Sequence, residues 1–142
     1  MNLRIVLLIP ILLFLQCKSS QKHAGEGSIL ENTYWKLVEV NGNTVSTPAN
    51  GREVYMVLSR ENGSTRLKGH AGCNGLGGDY KAEGRMITFQ PITTRMYCEL
   101  QMEVENLFTK MLSSADNYRI VGETLELYSD DALLGKFDRK TP

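Results

Sequence analysis

Three cysteines and two histidines are the residues in this chain best suited to chemistry. Cys73 and Cys98 lie about 25 residues apart, so a bond between them would close a loop worth roughly 3 to 4 kcal/mol on the chain-entropy model. A redox-active pair would call for C-x-x-C spacing, which is missing, so the expected state is a structural disulfide. If reduced, Cys98 would gain reactivity from a helix N-terminus beside it. His70-x-x-Cys73 together with Cys98 could be imagined as a metal site, but zinc takes four ligands and His23 lies far off in a polar segment. The same shortage weakens a Cys-His nucleophile, because no third group is placed to orient the imidazole. A solvated or locally hydrogen-bonded His70 is the simpler expectation, with no metal and no cofactor.

Gly69 to Gly78 is glycine-rich but lacks the closing Gly-Lys-Ser/Thr of a phosphate loop, and no helix follows it. A tight turn, with glycine at positive φ and Asn74 capping or tolerating a left-handed conformation, is expected there. Acidic residues are scattered, and Asp130-Asp131 falls in a turn, so no carboxylate pair for acid and base work stands out. Trp35, Tyr34, Tyr55 and Phe89 read as core or strand-face residues. No catalytic residue is assigned.

The elements that would position these residues begin after an export signal. Arg4 precedes an apolar run from Ile5 to Leu15, broken only by Pro10, and the chain turns polar at Lys18. Such a run is short of the ~20 residues that span a bilayer. Phe14-Leu15-Gln16-Cys17 resembles a lipobox, in which the cysteine is acylated and the signal is cut before it. Gln16 departs from the usual small residue. Acylation of Cys17 would also account for cysteine parity, since a Cys73–Cys98 pair leaves one thiol over in an oxidising compartment. Residues 1–17 are therefore read as a lipoprotein signal, 18–28 as a flexible tether, 29–138 as one domain, and 139–142 as a tail. Lys18 is not the Asp that retains many lipoproteins at the inner membrane, so the outer membrane is favoured.

Within the domain, short alternating runs are separated by turn residues. Tyr34 to Val40 precedes Asn41-Gly42, and Val54 to Ser59 precedes Glu61-Asn62-Gly63-Ser64 and a run from Thr65 to Gly69. Gly84 and Gly122 divide two further pairs of runs, and Ala132 to Phe137 closes the series. From Glu99 to Ser113, Leu100, Val104, Leu107, Phe108, Met111 and Leu112 recur at helical spacing, with Glu99, Glu103 and Glu105 early and Lys110 late. The expected fold is α+β and mostly β: a small, partly open antiparallel barrel of seven or eight strands with one amphipathic helix against an opening.

These elements carry a recognisable pattern. Leu30, Trp35 and Leu37 give L-x-x-x-x-W-x-L, and Gly72-Cys73-Asn74 with Gly78 and Tyr80 gives G-C-N-x-x-x-G-x-Y. Thr94-Arg95-Met96-Tyr97-Cys98 precedes the helix, and Gly122, Leu125 and Leu127 fall near the end. Together they resemble the META domain, the family of the heat-shock-inducible protein HslJ, over residues 29 to 138. Tyr97 departs from the small residue common at its position. The resemblance implies a barrel-like envelope domain, often in lipoproteins, with the two cysteines paired in many members and a fold similar to that of pilot lipoproteins for secretins. It brings no catalytic residues, and links to envelope stress and antibiotic tolerance.

The charge balance bears on partners. Sixteen basic and sixteen acidic side chains cancel, and loss of residues 1–17 removes only Arg4. Nucleic acid, which rewards a net basic face, is not an expected partner. The expectation is a monomeric, non-enzymatic envelope lipoprotein, held to the membrane by its lipid and contacting an envelope protein or a hydrophobic ligand. The alternative is an enzyme acting on a cell-wall or lipid substrate.

Overall fold

The computed structural model describes residues 29–140; Cys17, the signal 1–17, the tether 18–28 with His23, and residues 141–142 lie outside them. Nine strands and one helix follow in order: β1 (Tyr34–Val40), β2 (Asn43–Thr44), β3 (Tyr55–Glu61), β4 (Ser64–His70), β5 (Gly75–Glu83), β6 (Met86–Thr93), α1 (Met102–Ser114), β7 (Asn117–Val121), β8 (Thr124–Ser129) and β9 (Ala132–Lys140). All the strands pair antiparallel in one sheet, ordered β2-β1-β3-β4-β5-β6-β7-β8-β9, and β1 also pairs with β9, which closes a ring. The expected α+β barrel is therefore present, as an irregular ring. Its weakest seam joins β6 to β7 through a single register pair, Met86 with Asn117. The strand beyond the expected eight is the two-residue β2.

The turns follow from local chemistry. Asn41 and Gly42 have φ of 49° and 77°, and Asn62 and Gly63 have 51° and 80°. Two consecutive positive φ values make the hairpin twist that matches the strands it joins, and Asn-Gly adopts them most readily. Alternation then sends Met56 and Leu58, Ile87 and Phe89, and Leu125 and Leu127 inward. Trp35, Leu37, Leu67, Tyr80 and Phe137 fill the remaining interior. The Trp35 indole N–H donates to the Leu30 carbonyl at 3.0 Å, which satisfies the one polar group of that ring.

Helix α1 packs chiefly on β6 and also touches β1. It adds Phe108, Met111 and Leu112 to the core, with the Phe108 and Phe137 rings 6.0 Å apart. It begins at Met102, three residues later than the periodicity suggests, because Glu99 to Gln101 form a turn closed by the Cys98 carbonyl accepting from the Gln101 and Met102 N–H groups. Leu100 consequently lies outside the helix and is 78% exposed, where the apolar stripe placed it inward.

Two further expectations change. The glycine-rich stretch is a turn only from Ala71 to Asn74; Gly69 belongs to β4, and Gly75, Gly77 and Gly78 belong to β5. A Cβ at Gly78, whose φ is +129°, would lie 2.0 Å from the Gln90 carbonyl oxygen, so this glycine lets β5 and β6 approach. The domain also continues past Asp138, since Arg139 and Lys140 pair with Trp35 and Tyr34.

Candidate functional site

Of the residues singled out for chemistry, Cys73, Cys98 and His70 lie where the end of β4 and the segment after it, the segment after β6 and the first turn of α1 meet; Cys17 and His23 lie outside the described residues. Cys73 and Cys98 form a disulfide with their Cα atoms 5.6 Å apart. Beside it Asn74, 1% exposed, is a hub. Its backbone N–H and its Nδ2 each donate to the Glu105 carboxylate at 2.7 Å. Nδ2 also donates to the Met96 carbonyl at 3.0 Å, while Oδ1 accepts from the Met96 N–H at 2.7 Å and from the Thr94 hydroxyl at 2.9 Å. The side chain of Asn74 is therefore fully used, and its φ is not left-handed: the positive φ in this turn belongs to Gly72. Glu105, whose early place in the helix matches the helix dipole, is 5% exposed and forms no ion pair among the described residues. Two charge-assisted bonds and the N-terminal turn of α1 stand in for a counter-ion.

A second clasp lies alongside. Gln101, also buried, donates through Nε2 to the Arg52 carbonyl at 2.9 Å and accepts the Arg52 N–H through Oε1 at 3.2 Å. It ties the segment before β3 to the start of α1. His70 at the end of β4 accepts the Gly72 N–H through Nδ1 at 3.1 Å. Burial first, and the nearby Arg52 charge second, hold its pKa below the ordinary 6.5, with Glu105 pulling the other way. Among the described residues no group of three or more His, Cys, Asp or Glu side chains could hold a metal ion.

The polar clusters elsewhere are likewise paired internally. Glu53 takes Lys36 and Lys140 at 2.7 Å each, and the Tyr34 hydroxyl at 3.0 Å. The Lys140 and Lys36 ammonium groups lower its pKa from 4.5 to about 2, against the opposing effect of burial. Tyr34 stacks on Tyr55 at 4.3 Å. Tyr80, inside the ring, donates to Glu31 at 2.6 Å, and burial followed by that bond raises its pKa.

A groove of about 500 Å³ lies open between β2 and α1. Val40, Val45, Pro48, Val104 and Leu107 give it apolar walls, and Leu100 and Glu103 stand at the helix side. Met96 and Tyr97, 61% and 82% exposed, lie on the same disulfide-held segment as Leu100. Helical spacing put Val104 and Leu107 in the stripe that packs on the sheet, and both are half-buried, with a side left to line the groove. Asn74, Glu105 and Gln101 carried no such signal beyond the G-C-N motif, because their partners lie 20 to 49 residues away.

Comparison with known proteins follows the same outline. The META domain family model matches residues 28–141. An NMR structure of a protein from Burkholderia xenovorans is similar, with a TM-score of 0.63 at 24% identity, covering 81% of this chain and 86% of that one. The crystal structure of a DUF4847 family protein from Bacteroides vulgatus ATCC 8482 has a TM-score of 0.57 at 15% identity, covering 83% of this chain and 99% of the other. Likeness at these identities is a likeness of fold. No curated protein matches the chain.

Proposed function

This chain belongs to the META domain family, and from that premise we propose that it is a non-enzymatic, stress-related accessory or binding module of the bacterial envelope. It is exported, acylated at Cys17 and tethered to the membrane, with the outer membrane favoured, and it acts as a monomer that contacts an envelope protein or a hydrophobic ligand. One contrast carries the reading. The polar groups suited to chemistry are bonded to one another in clasps that hold the fold, whereas the concave, partly apolar surface beside α1 is open. The half-apolar character of that groove, with the exposed Leu100 in its lining, is what a binding surface offers.

The anchor is tested by labelling cells with radioactive palmitate. The native chain is expected to take up label and Cys17→Ala to lose it; label retained by Cys17→Ala would refute the anchor. Crosslinking in intact cells through a photoreactive residue at position 100 or 107 is expected to give a discrete adduct. Its reproducible absence, together with no co-purifying lipid, would defeat the binding role.

A further inference from the structure

We propose that the groove between β2 and α1 takes an extended protein segment, which adds as a further strand to the free edge of β2 and places a basic side chain at Glu103. The inference deepens the binding-module reading and rests on it.

Ring closure gives most strands of this sheet a neighbour on each side, but β2 ends the strand order and, among the described residues, pairs with β1 alone. The Val45 N–H donates inward to the Val38 carbonyl at 2.8 Å. In an antiparallel ladder, successive residues turn their N–H and C=O groups to alternate sides. Thr44, one residue earlier and exposed, therefore directs both groups away from β1. An unpaired edge of this kind is a template for another strand. Across the groove stand Val104 and Leu107 of α1, with Val40, Val45 and Pro48 completing the apolar walls. A strand edge facing a helix, with apolar pockets for alternate side chains, is the arrangement that recognises peptides by strand addition.

Charge selects among occupants. Glu103 lines the groove, is exposed and forms no ion pair among the described residues, and Glu99 is exposed beside Leu100. An acyl chain would leave the Thr44 backbone groups and the Glu103 carboxylate unmatched. A peptide carrying Lys or Arg among alternating apolar residues satisfies all three features of the groove.

The test uses the full chain in lipid nanodiscs, panned against a phage-displayed library of random linear peptides, with empty nanodiscs as the counter-selection. Enriched sequences are expected to alternate apolar and polar residues and to contain Lys or Arg. The most enriched peptide, made synthetically, should slow hydrogen exchange at Asn43 to Ser46. Thr44→Pro removes the outward N–H and leaves the Val45 bond, and should weaken that peptide about tenfold, the worth of one backbone hydrogen bond. Glu103→Lys, on the solvent side of the helix, should turn the selection toward acidic sequences; it provides a separate test if Thr44→Pro disturbs the fold. The proposal is overturned if nothing enriches beyond empty nanodiscs, or if enriched peptides ignore both substitutions. Protection appearing at Met96 to Leu100 instead, a self-associated second copy filling the groove, or a co-purified acyl chain that competes with the peptide would also overturn it. Loss of palmitate labelling at Cys17 is a separate result, because it removes the anchor without touching peptide affinity in vitro. A crosslinked envelope partner without peptide selection would leave the binding role standing and remove only strand addition.

Discussion

Replacing Glu105 by Ala removes both acceptors of the Asn74 N–H groups from a site that is 5% exposed. Asn74 Nδ2 keeps the Met96 carbonyl, but its backbone N–H is left without its 2.7 Å partner. Hydrogen bonds to charged acceptors contribute about 1.5 to 3 kcal/mol each, and breaking a buried charged network costs about 3 to 5 kcal/mol. We expect a loss near 4 kcal/mol, read as a lower guanidinium midpoint with an unchanged slope. For a domain of this size that lowers Tm by on the order of 15 °C. Asn74→Ala should cost about as much, because it strands the Glu105 carboxylate with one bond and leaves Thr94 and Met96 without their acceptor. The double variant should lose less than the sum by about 2 kcal/mol, since no buried charge is then left without partners. Glu103→Ala, two residues earlier in the same helix and exposed, serves as the control and should change stability by less than about 0.5 kcal/mol. Single losses under about 1 kcal/mol, or a cycle additive within about 0.5 kcal/mol, would refute the hub.

Four shorter tests address the rest of the fold. Cys73→Ala with Cys98→Ala should lower stability by about 3 kcal/mol in denaturant titrations, against a native protein whose two thiols resist alkylation until reduced. Gly78→Ala combines a left-handed φ with a Cβ 2.0 Å from the Gln90 oxygen, and should destabilise by about 3 kcal/mol or more, while Gly42→Ala, in open space, should cost less. His70 has a depressed pKa, so its neutral form belongs to the folded state. Its contribution is complete above pH 6.5 and lost as pH falls through the folded value, and His70→Asn should flatten the decline in Tm on that acid side. Glu53, held at about 2, contributes above its ordinary 4.5 and loses that contribution as pH falls toward 2. Glu53→Gln should therefore lower stability at neutral pH, by no more than about 1 kcal/mol for ion pairs this exposed to solvent, and the difference should shrink in high salt.

Features with local causes were legible in the sequence. Asn41-Gly42 and Asn62-Gly63 announced their hairpins because the required φ values are a property of those residues alone. The stripe through Phe108, Met111 and Leu112 announced a buried helix face, and the pairing of Cys73 with Cys98 followed from number and spacing. Features caused by distant neighbours were not. Gly75 to Gly78 looked like a turn because glycine marks turns, yet the need for Gly78 comes from a backbone carbonyl on the next strand. Glu105 was legible only as an early acid matching the helix dipole, since nothing in a helical heptad reveals that an asparagine 31 residues earlier will meet it. The same limit hid Gln101, and the edge of β2 appears only once the order of strands is known.

The pairing of β1 with β9 sets the order in which this chain can complete itself. Tyr34 meets Lys140 and Val40 meets Gly135, so the first long strand finds its second neighbour only when the last one arrives. A growing or threading chain would carry β1 with one edge bare until the last strand of the ring was available. Long-range pairing of this kind slows folding, because loop entropy is spent before the contact is made. Completion therefore waits for β9, and shortening that strand by a few residues should impair closure far more than trimming any hairpin tip.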